Sequence, residues 1–316
     1  MTASRIVLTG ATGFIGQHLL RVVRGREVFA LTRDMDGGPR VSGNIKWVVG
    51  DVGSATSWQS LLVPGCTVIN LAYPGELSLE QSISAAQVMV SSCAEAPAAR
   101  LIHCSTVSVY GRTSGGFIDE SMLCNPQDEY GYKKLAIEEA IRTANAGACE
   151  VVILRPAAVF GIGGQNLVTL VNTLCRGPSL ANYLRLSLFG RRKMHLVPVQ
   201  TVVDALLFLA NYEHSIAGQV LNIADDGHML NNFQDVERIL REALELPARR
   251  FPPLPVPSVL LRALLRLRGR SELDPNCSYR AEKIDQMGFV RSIEFGEALR
   301  SFAMQCKSER ALRRLV

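Results

Sequence analysis

The sequence has eight cysteines in 316 residues but no pair at C-x-x-C spacing. This absence argues against a zinc site or a dithiol redox motif, and we predict no metal. No apolar run approaches the ~20 residues that cross a bilayer, and no basic segment followed by an apolar stretch opens the chain. We therefore expect no integral membrane segment, no signal peptide, and a cytoplasmic protein with reduced cysteines.

The chain also lacks a strong excess of either positive or negative charge. The formal net charge is +5, aromatic residues make up 6%, and no dense basic run is interleaved with aromatics. A nucleic-acid partner is therefore not expected. The hydrophobic fraction of 47% is typical of a globular protein that can fill a core. The mild positive charge fits a small-molecule substrate that carries negative charge.

Short apolar runs alternate with amphipathic patterns through the first half of the chain. The runs lie at 5–9, 28–31, 47–49, 68–71, 101–104 and 151–154, and the helical patterns at 15–23, 54–62, 79–94 and 130–146. Each run is apolar on both faces, as a parallel strand covered by helices must be. The alternation predicts an α/β fold with a Rossmann-type doubly wound parallel sheet over 1–156.

The pattern becomes irregular after Pro156. A strand-helix-strand stretch spans 194–223, and helical patterns follow at 260–267 and 294–302. We predict a smaller C-terminal substrate-binding lobe over 157–316, with some elements returning to the Rossmann sheet.

A glycine-rich turn follows the first predicted strand. It reads Thr9-Gly10-Ala11-Thr12-Gly13-Phe14-Ile15-Gly16. Glycines at this spacing permit a tight turn, a close approach of the backbone to a pyrophosphate, and close packing of helix on strand. The N–H groups at the start of the next helix also favour phosphate. We predict that a dinucleotide cofactor is bound by Gly10, Thr12, Gly13, Phe14, Ile15 and Gly16.

The second predicted strand is followed by Thr32 and Arg33 instead of the acidic residue that usually bonds the ribose of NAD. An arginine pairs well with a 2′-phosphate, so Arg33 favours NADP over NAD. Asp34, one residue further, keeps NAD as an alternative. Asp51 and Val52 follow the third strand and are expected to contact the adenine, the alternative being a plain turn.

Tyr130 opens a predicted helix, and Lys134 lies one turn later on the same face. A free tyrosine is a poor base at neutral pH because its pKa is ~10, and a nearby ammonium lowers that value. Tyr130 and Lys134 are therefore a candidate proton-transfer pair beside the cofactor. Ser105 and Thr106 end the fifth strand, where ligands bind in such sheets, and are candidates to hold the substrate oxygen.

Several motifs together resemble the extended short-chain dehydrogenase/reductase family, the NAD-dependent epimerase/dehydratase group. They are Thr9 to Gly16, Asn70-Leu71-Ala72, Ser105 to Gly111, Tyr130 to Lys134 with Glu138, Leu154-Arg155-Pro156 with Val159-Phe160-Gly161, and Gly218 to Ala224. The resemblance implies a catalytic triad of Thr106, Tyr130 and Lys134. It also implies cofactor contacts at Leu71, Ala72, Pro156 and Val159, and a homodimer formed through the helices that start near Leu79 and Tyr130.

The chain departs from the family pattern in its second half. Ala157 and Ala158 stand where members that act on nucleotide sugars often have an asparagine, and Val199-Gln200-Thr201 replaces the usual V-D-D. Arg191 and Arg192 are candidate ligands of a substrate diphosphate, the alternative being a solvated charge cluster.

Three functions follow from these motifs. The first is an NAD(P)-dependent epimerase or keto-reductase of a nucleotide-activated sugar, in which Tyr130 exchanges a proton during hydride transfer. The alternative is an NADPH-dependent reductase of a sterol, flavonoid-like or lipid ketone, for which Ala157 and Ala158 leave room. A non-catalytic cofactor-binding regulator is a third class, but such proteins usually lose the tyrosine or the lysine, and this chain keeps both.

Overall fold

The computed structural model describes residues 5–34, 43–73, 75–111, 116–247, 252, 254 and 277–312. The chain divides into two compact units. Unit 1 comprises Met1–Gly111, Leu123–Pro156 and Val202–Asn222, and unit 2 comprises Arg112–Met122, Ala157–Thr201 and Ile223–Val316. Each unit therefore draws on several separate stretches of the chain.

The described residues form eleven strands. They are β1 (Ile6–Thr9), β2 (Val28–Thr32), β3 (Ile45–Val49), β4 (Thr67–Asn70), β5 (Arg100–Cys104), β6 (Phe117–Ile118), β7 (Glu150–Pro156), β8 (Ala158–Phe160), β9 (Leu196–Pro198), β10 (Val220–Ile223) and β11 (Ser278–Tyr279). Seven of them form one sheet in the order β10-β7-β5-β4-β1-β2-β3. β1 is parallel to both β2 and β4, so the strand order reverses there. Sheets of this kind bind ligands beyond the carboxyl ends of the strands at such a reversal.

Ten α-helices lie within the described ranges. They are α1 (Phe14–Val22), α2 (Ala55–Leu61), α3 (Leu79–Glu95), α4 (Glu129–Thr143), α5 (Val168–Arg176), α6 (Ser179–Phe189), α7 (Val199–Asn211), α8 (Phe233–Ala243), α9 (Glu282–Gln286) and α10 (Phe295–Leu312). The fold prediction is confirmed, because the strands and helices expected over 1–156 are all present. No helix in these ranges is long and apolar enough to cross a membrane.

Side-chain caps fix where two helices begin. Ser78 accepts the backbone N–H of Gln81, whose own side chain accepts the N–H of Ser78, so α3 starts with a capping box. The Asp128 carboxylate accepts the N–H of Gly131 at 2.7 Å. Because α4 therefore begins at Glu129, Tyr130 lies in its first turn.

Each unit has its own apolar core. Trp58, Val68 and Leu101 are fully buried in unit 1. β3 departs from the expectation of burial on both faces, because it is the edge strand and its residues stay partly or fully exposed. In unit 2, Phe160 and Leu299 are buried in a second cluster. The helix expected over 294–302 is part of α10, whereas the one expected over 260–267 lies outside the described residues.

Candidate functional site

A cavity of about 490 Å³ in unit 1 lies at the carboxyl ends of the strands around β1. Eight of the predicted cofactor-binding residues line it: Gly10, Thr12, Gly13, Arg33, Asp51, Val52, Leu71 and Ala72. We call it the glycine-turn cavity. Its lining also includes Asp34, the alternative ribose contact, and residues that were not predicted as contacts: Leu31, Thr32, Gly50, Tyr73 and Leu77.

Two glycines are required by the shape of this turn. Gly10 has φ +66°, and a Cβ there would come within 2.6 Å of the carbonyl carbon of Leu71. A Cβ on Gly16 would lie 2.3 Å from the carbonyl oxygen of Gly10. The turn thus packs against both the end of β4 and the first turn of α1, which leaves no room for a larger residue.

The N-terminus of α1 is open to an anion. Its N-cap, Gly13, provides no side-chain hydrogen bond, and no acidic residue lies in the first turn. The N–H groups of the first turn have no partner within the helix, and the helix dipole adds partial positive charge there. Phe14, Ile15 and Gly16 carry these N–H groups, although none of the three is among the residues that line the cavity. The arrangement fits a pyrophosphate.

Arg33 points its guanidinium at a carboxylate. Its Nη1 donates to Glu76 Oε2 at 3.1 Å, and both side chains are largely exposed. An exposed pair of this kind contributes about 0–1 kcal/mol. Asp34 also lines the cavity, so the residues suited to a 2′-phosphate and to free ribose hydroxyls stand side by side. Glu76 was not identified from the sequence, because it lies 43 residues further along the chain.

Pro156 and Val159, two further predicted cofactor contacts, are also absent from the lining of the glycine-turn cavity. Pro156 is buried at the end of β7, and Val159 lies in β8. The backbone oxygen of Val159 accepts the side-chain amide of Asn166 at 2.7 Å. Both stay predictions that derive from the family resemblance.

Thr106, Tyr130 and Lys134 all lie in unit 1. Thr106 follows β5 and caps a 3-10 helix at Val107–Tyr110 by accepting the N–H of Ser108 at 3.2 Å. The Lys134 ammonium is buried and donates to the carbonyl of Cys104 at 2.9 Å. The end of β5 and the first turns of α4 therefore gather the three predicted triad residues around one strand end.

The phenol of Tyr130 favours its protonated form. Burial, and then the nearby Cys104 thiol, raise its pKa to about 12, while a hydrogen bond with Thr106 partly opposes the shift. We expected Lys134 to lower this pKa, but its ammonium faces the Cys104 carbonyl instead. Tyr130 therefore carries its proton at neutral pH, and acting as a base requires additional positive charge nearby.

Ser105 carries an unpaired buried hydroxyl. Its residue is 5% exposed, and its Oγ has no hydrogen-bond partner. Leaving a buried hydroxyl unpaired costs about 1–3 kcal/mol. The cost would be relieved by a polar ligand group at the end of β5, which fits the cofactor and substrate role predicted for this residue.

Tyr73 and Lys133 belong to the same site but were not predicted. The Tyr73 ring packs edge-on against Tyr130 with 5.0 Å between centroids, and the Lys134 ammonium lies 5.2 Å from the Tyr73 centroid. Lys133 donates to the backbone oxygens of Gly75 and Leu77. Lys133 thereby fixes one wall of the glycine-turn cavity, since Leu77 lines it.

A buried ion pair supports the helix that carries Tyr130. Arg155 donates to both carboxylate oxygens of Glu138, with Nε at 3.1 and 3.2 Å. The guanidinium also lies over the Tyr110 ring, 4.8 Å from its centroid, and Tyr110 donates to Asn222 at 2.9 Å. The Leu154-Arg155-Pro156 motif and Glu138 thus tie α4, β7 and the 3-10 helix together.

Unit 2 has a cavity of its own, of about 670 Å³. We call it the charged cavity. Its cations are already paired: Arg291 contacts Asp225 at 2.6 Å and Asp285 at 2.8 Å, and Arg280 contacts Glu282. Lys193 lines the cavity. Its neighbours Arg191 and Arg192, predicted to bind a diphosphate, are not among the lining residues. Among the described residues, no three or more His, Cys, Asp or Glu side chains are placed so that they could hold a metal ion.

Known proteins resemble this chain over most of its length. UDP-glucose 4-epimerase of Vibrio cholerae is 25% identical over 286 residues, covering 85% of this chain and 83% of that protein. The dTDP-4-dehydrorhamnose reductase of Mycobacterium tuberculosis (strain H37Rv) is 28% identical over 287 residues, covering 83% and 85%. The structure of MoeE5 in complex with UDP-glucose and NAD has a TM-score of 0.69 at 23% identity, covering 98% and 100%.

The likeness to MoeE5 confirms the Rossmann-type fold. The family described as the NAD dependent epimerase/dehydratase family matches residues 6–224. That range holds the glycine turn, the Tyr130–Lys134 pair and the Leu154-Arg155-Pro156 motif, which first suggested the resemblance. The chain is therefore an enzyme that belongs to the NAD-dependent epimerase/dehydratase family.

Proposed function

We propose that the chain catalyses hydride transfer at a carbon bearing a hydroxyl or keto oxygen on a nucleotide-activated sugar, as an epimerase or a keto-reductase. The observation that carries this proposal is the grouping of Thr106, Tyr130 and Lys134 at the end of β5. The names of the relatives support the substrate class, since both the V. cholerae epimerase and the M. tuberculosis reductase act on nucleotide sugars.

The residues of unit 1 fit a nicotinamide dinucleotide. The first-turn N–H groups of α1 would hold the pyrophosphate, Asp51 and Val52 the adenine side, and the unpaired Ser105 hydroxyl a polar group near the nicotinamide. When bound, this cofactor accepts or donates the hydride. Thr106 orients the substrate oxygen, and Tyr130 exchanges its proton.

The raised pKa, about 12, means that Tyr130 starts as a protonated phenol. A protonated phenol donates directly to the oxygen of a reduced ketone. In the opposite direction Tyr130 must lose its proton, which the positive charge of an oxidised nicotinamide ring would favour.

Substitution of Tyr130 tests the mechanism. We expect Tyr130→Phe to lower kcat about 10²–10⁴-fold, because proton transfer by a positioned side chain contributes that much, with cofactor affinity unchanged. Tyr132→Phe is the matched control, since Tyr132 lies on the same helix and is 57% exposed. Undiminished turnover of the Tyr130→Phe protein would refute the proposed role.

The cofactor separates an epimerase from a reductase. Arg33 supports NADP, while Asp34 and the presence of NAD in the MoeE5 complex support NAD. Denaturing the purified protein and identifying released nicotinamide by mass spectrometry tests the choice. Tightly held NAD supports the epimerase, which keeps its cofactor between half-reactions. Exchangeable NADPH, bound better than NADH, supports the reductase.

A second candidate is an NADPH-dependent reductase of a non-sugar ketone. The paired cations of the charged cavity favour it, because a diphosphate there would have to displace carboxylates from Arg291 and Arg280. Ala157 and Ala158 in place of an asparagine point the same way. Turnover of a plain ketone by a protein that does not bind uridine diphosphate would establish this alternative.

We further propose that unit 1 binds the dinucleotide, that unit 2 binds the substrate, and that the protein is a cytoplasmic homodimer. The family resemblance suggests a dimer through α3 and α4, and Leu79 and Tyr132 on these helices are exposed. Light scattering that gives a strict monomer would refute the dimer.

A further inference from the structure

Three side chains of unit 2 form a cluster that the hydride-transfer mechanism does not use. His195 Nδ1 lies 2.6 Å from Asp226 Oδ2, and His195 Nε2 lies 3.5 Å from Cys277 Sγ. The Asp226 side chain is completely buried. A thiol, an imidazole and a carboxylate therefore stand in line within hydrogen-bonding distance of one another.

The hydrogen bonds assign a role to each ring nitrogen of His195. Asp226 Oδ2 also accepts the backbone N–H of Tyr279 at 2.8 Å, so this oxygen acts as an acceptor and Nδ1 donates to it. Nε2 then faces the Cys277 sulfur as the atom that receives a proton. A nucleophile, a base and a third group that orients the base form the arrangement that activates cysteines.

His195 holds a proton unusually well. Burial of the ring opposes protonation, but the hydrogen bonds with Asp226 and Cys277 outweigh it and raise the pKa of His195 to about 9. Other groups face the cluster too. Lys193 donates to the Asp226 backbone oxygen and to Ser278 Oγ, and the Tyr279 ring packs edge-on at 5.1 Å from the His195 ring.

The backbone at His195 adopts an uncommon conformation. Its φ is +54°, the left-handed region that non-glycine residues seldom enter. Asn231 fixes the next residue, accepting the N–H of Leu196 at 3.2 Å and donating to its oxygen at 2.8 Å. Conformations of this kind persist where the surroundings hold them, and they occur preferentially at functional sites.

We propose that Cys277 is a nucleophilic thiol, activated by His195 and oriented through Asp226, that is modified covalently by small uncharged electrophiles carrying a leaving group. The sulfur forms a bond to the electrophilic carbon, the leaving group departs with its electron pair, and the thiol proton passes to His195 Nε2. No oxidant or reductant takes part.

Cys277 adjoins residues of the charged cavity, although it is not itself among the lining residues. Ser278, Tyr279 and Lys193 line this cavity, and Ser278 directly follows the cysteine. Cys277 itself is only 8% exposed. Small reagents are therefore expected to reach the sulfur, and bulky maleimides are expected to be excluded.

Alkylation of the intact chain tests the proposal, because exposure alone predicts the opposite order of reactivity. Cys124, Cys175 and Cys306 are partly exposed, whereas Cys277 is buried. The protein is treated briefly with limiting iodoacetamide at pH 6.5, and labelling of all eight cysteines is quantified by peptide mass spectrometry. An unassisted thiol is only about 1% thiolate at this pH. We expect Cys277 to react at least about tenfold faster than Cys306, because His195 accepts its proton.

The pH profile of the unmodified protein gives an independent readout. We expect the Cys277 rate to change little between pH 6.5 and 8.5, while the Cys306 rate rises about tenfold per pH unit below its own pKa. His195→Gln should slow Cys277 at least about tenfold and leave Cys306 unchanged. Equal rates at the two cysteines, or parallel pH profiles, would overturn the proposal even if the His195→Gln protein failed to fold.

Discussion

The two cavities of this chain are built by opposite means. The glycine-turn cavity is lined mostly by glycines and uncharged side chains, with an uncapped helix end nearby. The charged cavity is lined by arginine and carboxylate side chains that already pair with one another, and by Lys193. A ligand of the first cavity can hydrogen-bond to the first-turn N–H groups of α1, which have no partner within the helix. An anionic ligand of the second cavity would have to displace carboxylates from their arginine partners.

This difference has an energetic consequence. Substitutions in the glycine-turn cavity should lower ligand affinity more than they lower the stability of the fold, because the groups they displace face the ligand. Substitutions in the charged cavity should change stability first, because each removed charge leaves a partner without compensation. Three experiments test the distinction.

The largest expected effect comes from Gly10→Ala. The new methyl group would collide with the end of β4 at 2.6 Å from Leu71, so the turn must open away from the pyrophosphate position. We expect the Kd for the dinucleotide to rise more than about 100-fold, which is 2.8 kcal/mol of binding free energy. Fluorescence titration with NADH and NADPH measures it.

Gly25→Ala is the matched control for this substitution. Gly25 has φ +69°, close to that of Gly10, but nothing lies within 4 Å of its Cβ position. It carries the same backbone penalty without the collision. Equal loss of affinity in the two variants would show that conformational strain, and not the cradle shape, explains the result.

Arg291→Met should have an intermediate effect, on stability. It removes the cation that contacts Asp225 and Asp285, and burial already raises the pKa of Asp225. We expect the free energy of unfolding at pH 7 to fall by about 2 kcal/mol, measured by urea denaturation. Because Asp225 becomes harder to ionise, the deficit should shrink as the pH is lowered toward 4. If Arg291→Met left the urea midpoint of unfolding unchanged and altered substrate affinity instead, the proposed difference between the two cavities would be wrong.

The smallest expected effect concerns Arg33 and Glu76. Arg33→Ser should weaken NADPH binding about tenfold, or 1.4 kcal/mol, and leave NADH binding unchanged, since only NADPH carries the 2′-phosphate. Glu76→Gln should instead strengthen NADPH binding, because it removes the carboxylate that pairs with the Arg33 guanidinium. Equal effects of Arg33→Ser on both nucleotides would show that Arg33 does not distinguish them.

The sequence predicted what depends on local spacing. The glycine turn, the strand–helix alternation and the Tyr130–Lys134 pair are each contained in a short stretch, so their geometry follows from the regular dimensions of a strand or a helix. The fold prediction was confirmed for this reason. The site residues predicted from these motifs stay predictions, although most cofactor candidates share one cavity.

The sequence could not predict contacts between distant stretches. Cys277, His195 and Asp226 come from three separate segments, and no spacing rule brings them together. Tyr73 follows the Asn70-Leu71-Ala72 motif directly, so an aromatic residue at that position could have been noticed. The raised pKa of Tyr130 was missed because it depends on burial and on the direction in which Lys134 points.

Helix α4 carries several side chains that contact different parts of the site. It carries Tyr130, which faces the proposed reaction site, and Lys133, which contacts the carbonyls of Gly75 and Leu77. It also carries Lys134, which contacts the Cys104 carbonyl, and Glu138, which contacts Arg155. One inserted residue would turn every later side chain by about 100°. Insertions and deletions between Tyr130 and Glu138 should therefore be intolerable, even where single substitutions on the exposed side of the helix are harmless.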